Sequence, residues 1–294
     1  MAGETPYHVP VLAREVVELL QPRRGGVYVD GTLGGGGHAA AILDASAPDG
    51  RVIGMDWDEE AVAAARERLG RYGERVTVVG RNFAELDDMV MALGLTTVDG
   101  VLFDLGVSSH QFDEPARGFS VQRPGPLDMR MSRQLAATAR DVLRTASVEE
   151  LANLFFEYGE ERRARAIARA IGRARERGEP LETTEDLARL CGPRRGRIHP
   201  ATRVFQALRI AVNDELGNLR RGLAAAVRVL RSGGRLAVIS FHSLEDRIVK
   251  RLFLEQQAAG VLRVVTKKPV MATAAEAAAN PRSRSAKLRV AERV

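Results

Sequence analysis

Cysteine is nearly absent from this chain of 294 residues, in which Cys191 is the sole example. A single cysteine excludes an intramolecular disulfide framework and any metal cage built from several thiolates. Histidine is sparse as well, and no two of the five are spaced one helical turn apart: His8, His38, His110, His199 and His242. We therefore expect neither a structural nor a catalytic zinc ion.

Long apolar runs are missing too, since no stretch of the sequence approaches the roughly 20 residues that a membrane-spanning helix needs. The first residues lack the basic stretch followed by an apolar one that marks a secretion signal. We expect a cytoplasmic protein that has no membrane partner. Lysine is rare, because arginine supplies 40 of the 44 basic residues. The formal charge of +6 and the pI near 9.9 favour an anionic partner.

The most informative stretch that is present is the run VYVDGTLGGGGH at 27–38, in which an apolar strand breaks into a glycine loop. Glycine lets the backbone approach a ligand closely, and the helix that follows near Ala39 directs free N–H groups toward that ligand. A second apolar strand ends at Asp56, 22 residues after Gly34. This spacing is typical of an acid that accepts hydrogen bonds from ribose hydroxyls. The pattern predicts a site for an adenosine-containing cofactor, with a simple tight turn as the alternative.

Strand-like runs alternate with helical stretches through the first third of the chain; they lie at 27–30, 51–56, 76–80 and 99–104. The alternation predicts an α/β fold, a parallel Rossmann-like sheet with helices on both faces. The fourth run is apolar on both faces and ends at Asp104. A central strand of this kind places its last residue at the ligand crevice, so we expect Asp104 in the site.

The sheet pattern is interrupted by a segment that predicts only helices, so we expect one domain with an insertion. The expected parts are a first portion of the core at 1–110, a mainly helical insertion at 111–198 and a second portion of the core at 199–294. The second portion is recognised by a strand that returns at 234–241. Two later runs, at 262–266 and 287–292, predict an antiparallel pair at the sheet edge.

Arginines recur every fourth residue in the predicted insertion, at Arg165, Arg169, Arg173 and Arg177. Small apolar residues fall on another face of the same helix. Segment 161–198 has 11 arginines against 6 acidic residues, and segment 262–294 has 8 basic residues against 2 acidic ones. A charged helical face is often only solvated, but two local excesses outside the glycine loop favour a phosphate backbone as partner.

Two cofactor classes fit the first half of the chain, nicotinamide dinucleotides and S-adenosylmethionine. A dinucleotide fold seats a pyrophosphate on its glycine turn, whereas the methyl donor has an ammonium group and no phosphate. Here Asp30 precedes Gly31 at the end of the first strand. An anion at this position is awkward beside a pyrophosphate but suits an ammonium group. We therefore favour S-adenosylmethionine as the cofactor.

Seven blocks resemble the signature motifs of the bacterial small-subunit ribosomal RNA cytosine-N4 methyltransferases. The blocks are DGTLGGGGH at 30–38, FDLGVSSHQFD at 103–113, RGFS at 117–120, PLDMR at 126–130, HPATRVFQALRIAVN at 199–213, SFHSLEDR at 240–247 and NPRSRSAKLR at 280–289. The resemblance covers roughly residues 7 to 293. It implies a class I methyltransferase core that uses S-adenosylmethionine to modify a cytosine in the decoding centre of 16S rRNA. Whether naked RNA or the assembled small subunit is the substrate, and whether the chain forms a homodimer, stay open.

The resemblance also implies roles for individual residues. It places Gly36, Gly37 and His38 along the donor, Asp56 at its ribose and Phe83 beside its adenine, with Asp104 and Gln111 completing the pocket. Each has an alternative reading from the residues alone: Phe83 fits a simple core position, Gln111 a solvated loop and His38 a helix start.

The atom that is methylated can be argued independently. Methylation at C5 of cytosine requires a cysteine thiolate, yet Cys191 lies in the predicted insertion, far from the strand ends. Transfer to the exocyclic N4 amine needs only acceptors that orient the amine in line with the donor methyl. Asp104 is the first candidate acceptor, and the further catalytic candidates are Ser108, Asn213 and His242. An aromatic that stacks on the base is also expected, chosen from Phe112, Phe119, Phe241 and His242.

Two other classes of function compete with this interpretation. One is a non-catalytic RNA-binding or assembly module that keeps a nucleotide-shaped loop, and the other is a dinucleotide-dependent oxidoreductase. The presence of Asp104 and of the block at 240–247 argues against an empty scaffold, and Asp30 argues against the oxidoreductase.

Overall fold

The computed structural model describes residues 10–193 and 199–294. The chain forms two compact units, which we call the sheet unit and the helical unit. The sheet unit comprises Met1–Gly106 and Leu216–Val294, and the helical unit comprises Val107–Glu215.

Helices occur in both units. In chain order they are α1 (Ala13–Leu20), α2 (Gly37–Ala45), α3 (Glu59–Leu69), α4 (Leu86–Ala92), α5 (Ser109–Asp113), α6 (Ala139–Thr145), α7 (Val148–Glu157), α8 (Ala164–Glu176), α9 (Thr184–Cys191), α10 (Thr202–Asn213), α11 (Glu215–Val229), α12 (Ser243–Ala258) and α13 (Ala274–Ala279). Among the described residues, no helix is both long and apolar enough to cross a membrane.

Strands assemble into a single sheet within the described part of the sheet unit. They are β1 (Val27–Asp30), β2 (Arg51–Met55), β3 (Val76–Val79), β4 (Val98–Asp104), β5 (Leu230–Ser240), β6 (Leu262–Val264) and β7 (Lys287–Arg293). The spatial order is β3-β2-β1-β4-β5-β7-β6. Neighbours from β3 to β5 are parallel, whereas β7 runs antiparallel to both β5 and β6. The predicted Rossmann-like sheet and the predicted antiparallel pair are both confirmed.

The central strands are apolar on both faces because helices cover both sides of the sheet. On one face, side chains such as Val29 and Phe103 pack with Leu223 of α11. On the other face, Tyr28 and Leu102 pack in the core that includes residues of α1 and α2. Because β1, β2, β4 and β5 run parallel, their carboxyl ends meet at one edge of the sheet.

The helical unit is held by capped helices that pack through small apolar faces. Ser147 at the start of α7 and Glu150 form a capping box, in which each side chain accepts the other's backbone N–H. On α8, Ile167, Ala168 and Ile171 are buried, and this face contacts α7. Helix α10 packs on α6 and α7. The compact helical unit therefore runs from residue 107 to 215, wider than the segment 111–198 that the sequence suggested.

Candidate active site

The loop between β1 and α2 turns sharply at two glycines for different reasons. A Cβ atom at Gly31 would lie 2.4 Å from the ring of Phe103, so the packing of β4 leaves room only for glycine. Gly36 has φ of +76° and caps α2, a conformation that glycine adopts at little cost. Together these positions bring the start of α2 over the end of β1. Such a loop presents backbone rather than side chains to a ligand.

Asp30 ends β1 as a fully buried carboxylate. Its Oδ1 accepts the N–H of Thr32 at 3.2 Å. Its Oδ2 is buried and has no hydrogen-bond partner among the described residues. Burial raises the pKa of Asp30 to about 6, while the charge of His38 opposes that rise. A buried acceptor atom that lacks a donor points to a ligand that supplies one.

Asp104 lies at the end of the neighbouring strand β4. Its backbone N–H donates to Oγ1 of Thr32 at 2.6 Å, which ties β4 to the loop after β1. Its Oδ2 lies 3.6 Å from Nδ1 of His38, and its side chain is 14% exposed. Its Oδ1 is buried and, like Oδ2 of Asp30, has no hydrogen-bond partner among the described residues. The ends of β1 and β4 thus carry two carboxylates, each with one acceptor atom that no described residue pairs.

Burial and two neighbouring charges determine the pKa of Asp104. Burial raises its pKa to about 7, the charge of Arg282 lowers it and the charge of Glu245 raises it further. Arg282 belongs to the short turn Pro281–Ser285 that leads into β7. Because β7 is antiparallel to β5, with Lys287 opposite Ser240, this turn lies at the carboxyl end of β5. A carboxylate with a pKa near neutrality can exchange a proton at physiological pH.

Asp56 follows the last residue of β2 and is held by the backbone. Its Oδ2 accepts the N–H of Gly34 at 2.8 Å and its Oδ1 accepts the N–H of Asp58 at 2.9 Å. Burial raises its pKa to about 6, against the effect of these hydrogen bonds. The sequence spacing that paired Asp56 with the glycine loop therefore corresponds to a direct contact.

The sequence matches the model of the MraW methylase family over residues 5–294. The chain belongs to the MraW methylase family. It is 53% identical to a ribosomal RNA small subunit methyltransferase H from Geotalea uraniireducens, over 98% of this chain and 99% of the relative. It is also 53% identical to the protein of the same name from Symbiobacterium thermophilum, over 96% of this chain and 95% of the relative.

Solved structures also resemble this chain. A crystallised rRNA methylase from Streptococcus thermophilus aligns with 96% of this chain and 93% of its own length, with a TM-score of 0.44 and 13% identity. The resemblance that seven sequence blocks indicated is confirmed at the level of the family. A methylase family also supports the predicted methyl donor, S-adenosylmethionine, as the cofactor.

The cofactor residues that the sequence predicted lie mostly in the sheet unit. Asp30, Gly36, Gly37, His38, Asp56 and Asp104 all lie at its carboxyl edge. Phe83, in the short turn Phe83–Glu85, is half-buried, and its ring centroid lies 4.9 Å from that of Phe103. One side of Phe83 therefore belongs to the core, as its periodicity suggested. A contact with adenine on its remaining surface stays a prediction.

Two predicted site residues of the helical unit are hydrogen-bonded to each other. Oε1 of Gln111 accepts the N–H of Ser108 at 2.9 Å, and Oγ of Ser108 accepts the N–H of Gln111 at 3.1 Å. This reciprocal pair is the capping box of α5. Gln111 is buried, not solvated as its loop position allowed. Their roles in catalysis and cofactor binding stay predictions.

Asn213 has a clear structural function in the helical unit. Its amide donates to the carbonyls of Met129 and Arg209, and its Oδ1 accepts the N–H of Met131 at 2.7 Å. It therefore fastens the PLDMR segment to the end of α10. Sequence spacing could not have revealed the contacts with Met129 and Met131, because these two partners lie more than 80 residues away.

His242 caps α12 in the sheet unit. Its Nδ1 accepts the N–H of Glu245 at 3.4 Å, and Oε2 of Glu245 accepts the N–H groups of Phe241 and His242. Glu245 is a buried carboxylate that the sequence reasoning did not single out. Its position three residues after the cap residue was the available signal. Thr32 and Arg282 were likewise missed, although both act on Asp104.

The aromatic candidates for stacking on a base differ in exposure. Phe119 is buried, Phe112 is 42% exposed, and Phe241 is half-buried. The exposed ring of Phe112 is accessible in the helical unit, whereas Phe119 belongs to the interior of that unit. The choice among Phe112, Phe241 and His242 is not decided by burial.

Proposed function

We propose that this chain transfers the methyl group of S-adenosylmethionine to the exocyclic N4 amine of a cytosine in 16S rRNA. The curated relatives are named as ribosomal RNA small subunit methyltransferases, which supports the rRNA of the small subunit as substrate. We also propose the cytoplasmic location that the sequence predicts.

The residues at the carboxyl edge of the sheet fit the proposed cofactor. S-adenosylmethionine carries a sulfonium and an ammonium group and, when bound, supplies an electrophilic methyl group. Two buried carboxylate atoms that have no hydrogen-bond partner in the described part of the chain, Oδ2 of Asp30 and Oδ1 of Asp104, suit a cationic ligand. Asp56 retains lone pairs for ribose hydroxyls beside its two backbone hydrogen bonds. Gly36, Gly37 and His38 would line the donor, and Phe83 and Gln111 its adenine.

The carboxylate of Asp104 is the feature that favours an amine as the methyl acceptor. An exocyclic amine becomes nucleophilic when an acceptor draws on its N–H group and turns its lone pair toward the methyl carbon. Asp104 has an unpaired acceptor atom and lies at the end of the central strand. Its raised pKa lets it take the proton that the amine loses. Ser108, Asn213 and His242 stay further candidates for contacts to the base.

The alternative of methylation at C5 is disfavoured by the environment of Cys191. This residue is fully buried in the helical unit. Burial and the charge of Glu161 raise the pKa of its thiol to about 12. A thiol of this kind forms almost no thiolate at neutral pH, and the thiolate is the nucleophile that C5 chemistry requires.

The helical unit offers a surface for the RNA. Arg165, Arg169 and Arg173 are exposed along one side of α8, with no carboxylate partner among the described residues. We call these three residues the arginine stripe. Four residues of an α-helix rise about 6 Å, so the stripe extends over about 12 Å. A row of free guanidinium groups fits a phosphate backbone.

The proposed function is tested by incubating the purified protein with S-adenosylmethionine and either naked 16S rRNA or small subunits from cells that lack the enzyme. Mass spectrometry of the nucleosides then separates N4-methylcytidine from 5-methylcytidine. We expect only the N4 product, and the two substrates show which form is accepted. Formation of 5-methylcytidine would contradict the position, and donor binding without any product would indicate the non-catalytic module.

A further inference from the structure

His38 and Asp104 face each other at the carboxyl edge of the sheet. Nδ1 of His38 lies 3.6 Å from Oδ2 of Asp104, and the two side chains are 6% and 14% exposed. His38 is in the first turn of α2, and Asp104 ends β4. The resemblance assigned His38 only to the lining of the donor pocket. Its contact with Asp104 suggests a further role.

The other ring nitrogen of His38 fixes the position of its proton. Nε2 lies 2.8 Å from the carbonyl oxygen of Val11. A carbonyl oxygen can only accept a hydrogen bond, so Nε2 carries the proton. Burial lowers the pKa of His38, which favours the neutral ring. A neutral imidazole has one N–H group, and Nδ1 therefore directs a lone pair at Asp104.

Two acceptor atoms that face each other in a buried place repel when Asp104 is ionised. One proton between them removes the repulsion and lets the two atoms move closer than 3.6 Å to form an O–H···N hydrogen bond. The arrangement therefore stabilises the protonated carboxyl group relative to the carboxylate. It differs from the common pairing of histidine and aspartate, in which the ring donates to a permanent anion.

We propose that His38 and Asp104 act as a pair that takes up and holds the single proton released by the target amine. The inference rests on the methyl transfer proposed above. As the amine nitrogen forms its bond to the methyl carbon, the bond from that carbon to sulfur breaks and its electron pair stays on sulfur. One N–H bond of the amine breaks, and the proton passes to the carboxylate of Asp104, which holds it on Oδ2. His38 accepts the resulting O–H group at Nδ1 and is thus a positioning residue.

The charges of the step balance. Before transfer, Asp104 is a carboxylate and the sulfur is a cation, and after transfer both are neutral. His38 stays neutral throughout. The pair loses its proton to solvent before the next turnover.

Charged groups from several elements act on the pair. They are Asp30 at the end of β1 and Glu276 of α13, which favour a proton on His38, and Arg282 before β7 and Glu245 of α12, which act in opposite senses on Asp104. Because the effects of Arg282 and Glu245 oppose each other, burial dominates and the pKa of Asp104 is about 7. The pair therefore changes its protonation near neutral pH.

The simplest competing role for His38 is structural, since its bond to Val11 joins α2 to the segment before α1. Nuclear magnetic resonance of the substrate-free protein separates the two roles. The protein is labelled with ¹⁵N-histidine, and the resonances of His38 are identified by their loss in His38→Gln. Above pH 8 we expect a proton on Nε2 and none on Nδ1. Between pH 8 and 6 the Nδ1 resonance should shift as Asp104 gains its proton.

The deciding comparison uses Asp104→Asn, whose side chain cannot titrate. The shift near pH 7 should disappear in this variant and persist in the control Asp88→Asn, which alters an exposed acid on α4. A proton on Nδ1 at high pH, or a shift that survives in Asp104→Asn, would overturn the proposal. Because no substrate is present, this result does not depend on whether the proposed methylation is correct.

A kinetic comparison provides a second readout. In single turnovers at saturating donor and RNA, the parent rate should rise with pH through a midpoint below 7, because the bound cationic donor favours the carboxylate form of Asp104. Glutamine at position 38 can donate an N–H to Asp104 and stabilise the carboxylate, so we expect the midpoint to fall by about one pH unit. A purely structural role would slow His38→Gln equally at every pH, and that result would also overturn the proposal. Absence of N4 methylation in the parent protein would instead refute the proposed function.

Discussion

The N–H group of Gly34 donates to Oδ2 of Asp56 across 2.8 Å, so the carboxylate that follows β2 is bound to the loop that follows β1. The second oxygen accepts the N–H of Asp58, the residue that caps α3. These two bonds orient the carboxylate without using all of its lone pairs. Asp56 is therefore both a support of the glycine loop and a candidate acceptor for ribose hydroxyls.

Replacing Asp56 with alanine should weaken the binding of S-adenosylmethionine far more than the binding of RNA. Hydrogen bonds to a charged acceptor contribute roughly 1.5–3 kcal/mol, so we expect donor affinity to fall about 10- to 100-fold. Isothermal titration calorimetry with the donor measures the loss, and RNA affinity is measured separately. Asp88→Ala, which removes an exposed acid from α4, serves as the control. Equal donor affinity in Asp56→Ala and the control would remove Asp56 from the site.

The affinity for S-adenosylmethionine should depend on pH because the pKa of Asp30 is raised to about 6 and that of Asp104 to about 7. A cationic ligand favours the ionised carboxylates, so it must displace their protons at lower pH. Affinity should be highest above about pH 7.5 and decrease as the pH falls through 7 and then 6. The decrease approaches tenfold per pH unit for each proton displaced. Calorimetry between pH 5.5 and 8 measures this dependence.

The demethylated product, S-adenosylhomocysteine, provides the matched comparison because it lacks the sulfonium charge. Its affinity should vary less with pH. The stability of the donor-free protein should depend on pH in the opposite sense to the donor affinity. Carboxyl groups with a raised pKa bind protons more tightly in the folded than in the unfolded protein. These groups should therefore lower the free energy of unfolding as the pH rises from about 4 to about 7. A donor affinity that is constant over this range would contradict the assignment of both acids.

The sequence predicted the sheet well because parallel strands covered on both faces are continuously apolar, as in 99–104. For the same reason Asp104, the first polar residue after that run, could be placed at the crevice. The spacing of Gly34 and Asp56 was informative because both follow adjacent strands. The boundaries of the helical unit were harder to predict. The sequence of α10 resembles that of any amphipathic helix, and only its packing on α6 and α7 shows that it belongs to the helical unit.

Side chains that bond to distant backbone could not be predicted in the same way. Asn213 appeared as a catalytic candidate, yet its amide fastens Met129 and Met131. Ser108 and Gln111 were given separate roles, although a three-residue spacing of serine and glutamine is a capping signal. The proton position on His38 depends on the carbonyl of Val11, a contact between segments 27 residues apart. Such contacts exist only once the fold brings the segments together.

Replacing Cys191 with alanine should leave the methylated product unchanged. The thiol is buried and its pKa is raised to about 12, so it has no part in a transfer to an amine. We expect a rate within about twofold of the parent and a loss of stability on the order of 1 kcal/mol from the smaller side chain. Single-turnover rates and thermal unfolding check both expectations. Loss of all product from a folded Cys191→Ala protein would revive a covalent C5 mechanism.

Replacing the arginine stripe with glutamine should weaken RNA binding and flatten its dependence on salt. Each phosphate contact that is lost lowers the slope of log affinity against log salt concentration by about 0.7–0.9, so three lost contacts lower it by about 2 to 3. Donor binding should not change. RNA affinity measured from low to moderate salt concentration gives the slope directly.

The control for the stripe is a second triple variant of the helical unit, in which Arg140, Arg177 and Arg189 become glutamine. These arginines are exposed too, but each lies within ion-pair distance of an acid: Glu182, Glu179 and Asp186, respectively. Because a neighbouring carboxylate already neutralises the charge of each of these arginines, their replacement should change the salt slope much less. Similar slopes for the two triple variants would show that the stripe is only a solvated face.

Replacing Asp104 with asparagine should slow methyl transfer severely while the fold and part of the donor affinity persist. An asparagine side chain keeps one acceptor oxygen in nearly the same volume, but it has no negative charge to stabilise the positive nitrogen of the transition state. It also cannot take the proton that the amine loses. Removal of one such electrostatic group typically lowers the rate by about 10²–10³.

Single-turnover methylation at saturating donor is the deciding measurement for Asp104→Asn, because it separates the chemical step from binding. Thermal unfolding and donor titration of the same variant establish that the sheet unit is intact. Asp88→Asn should retain the parent rate, since its side chain is exposed on α4. If Asp104→Asn also stays within a few-fold of the parent, the amine has another acceptor. The search would then turn to Ser108, Asn213 and His242, of which only His242 lies in the sheet unit, at the end of β5.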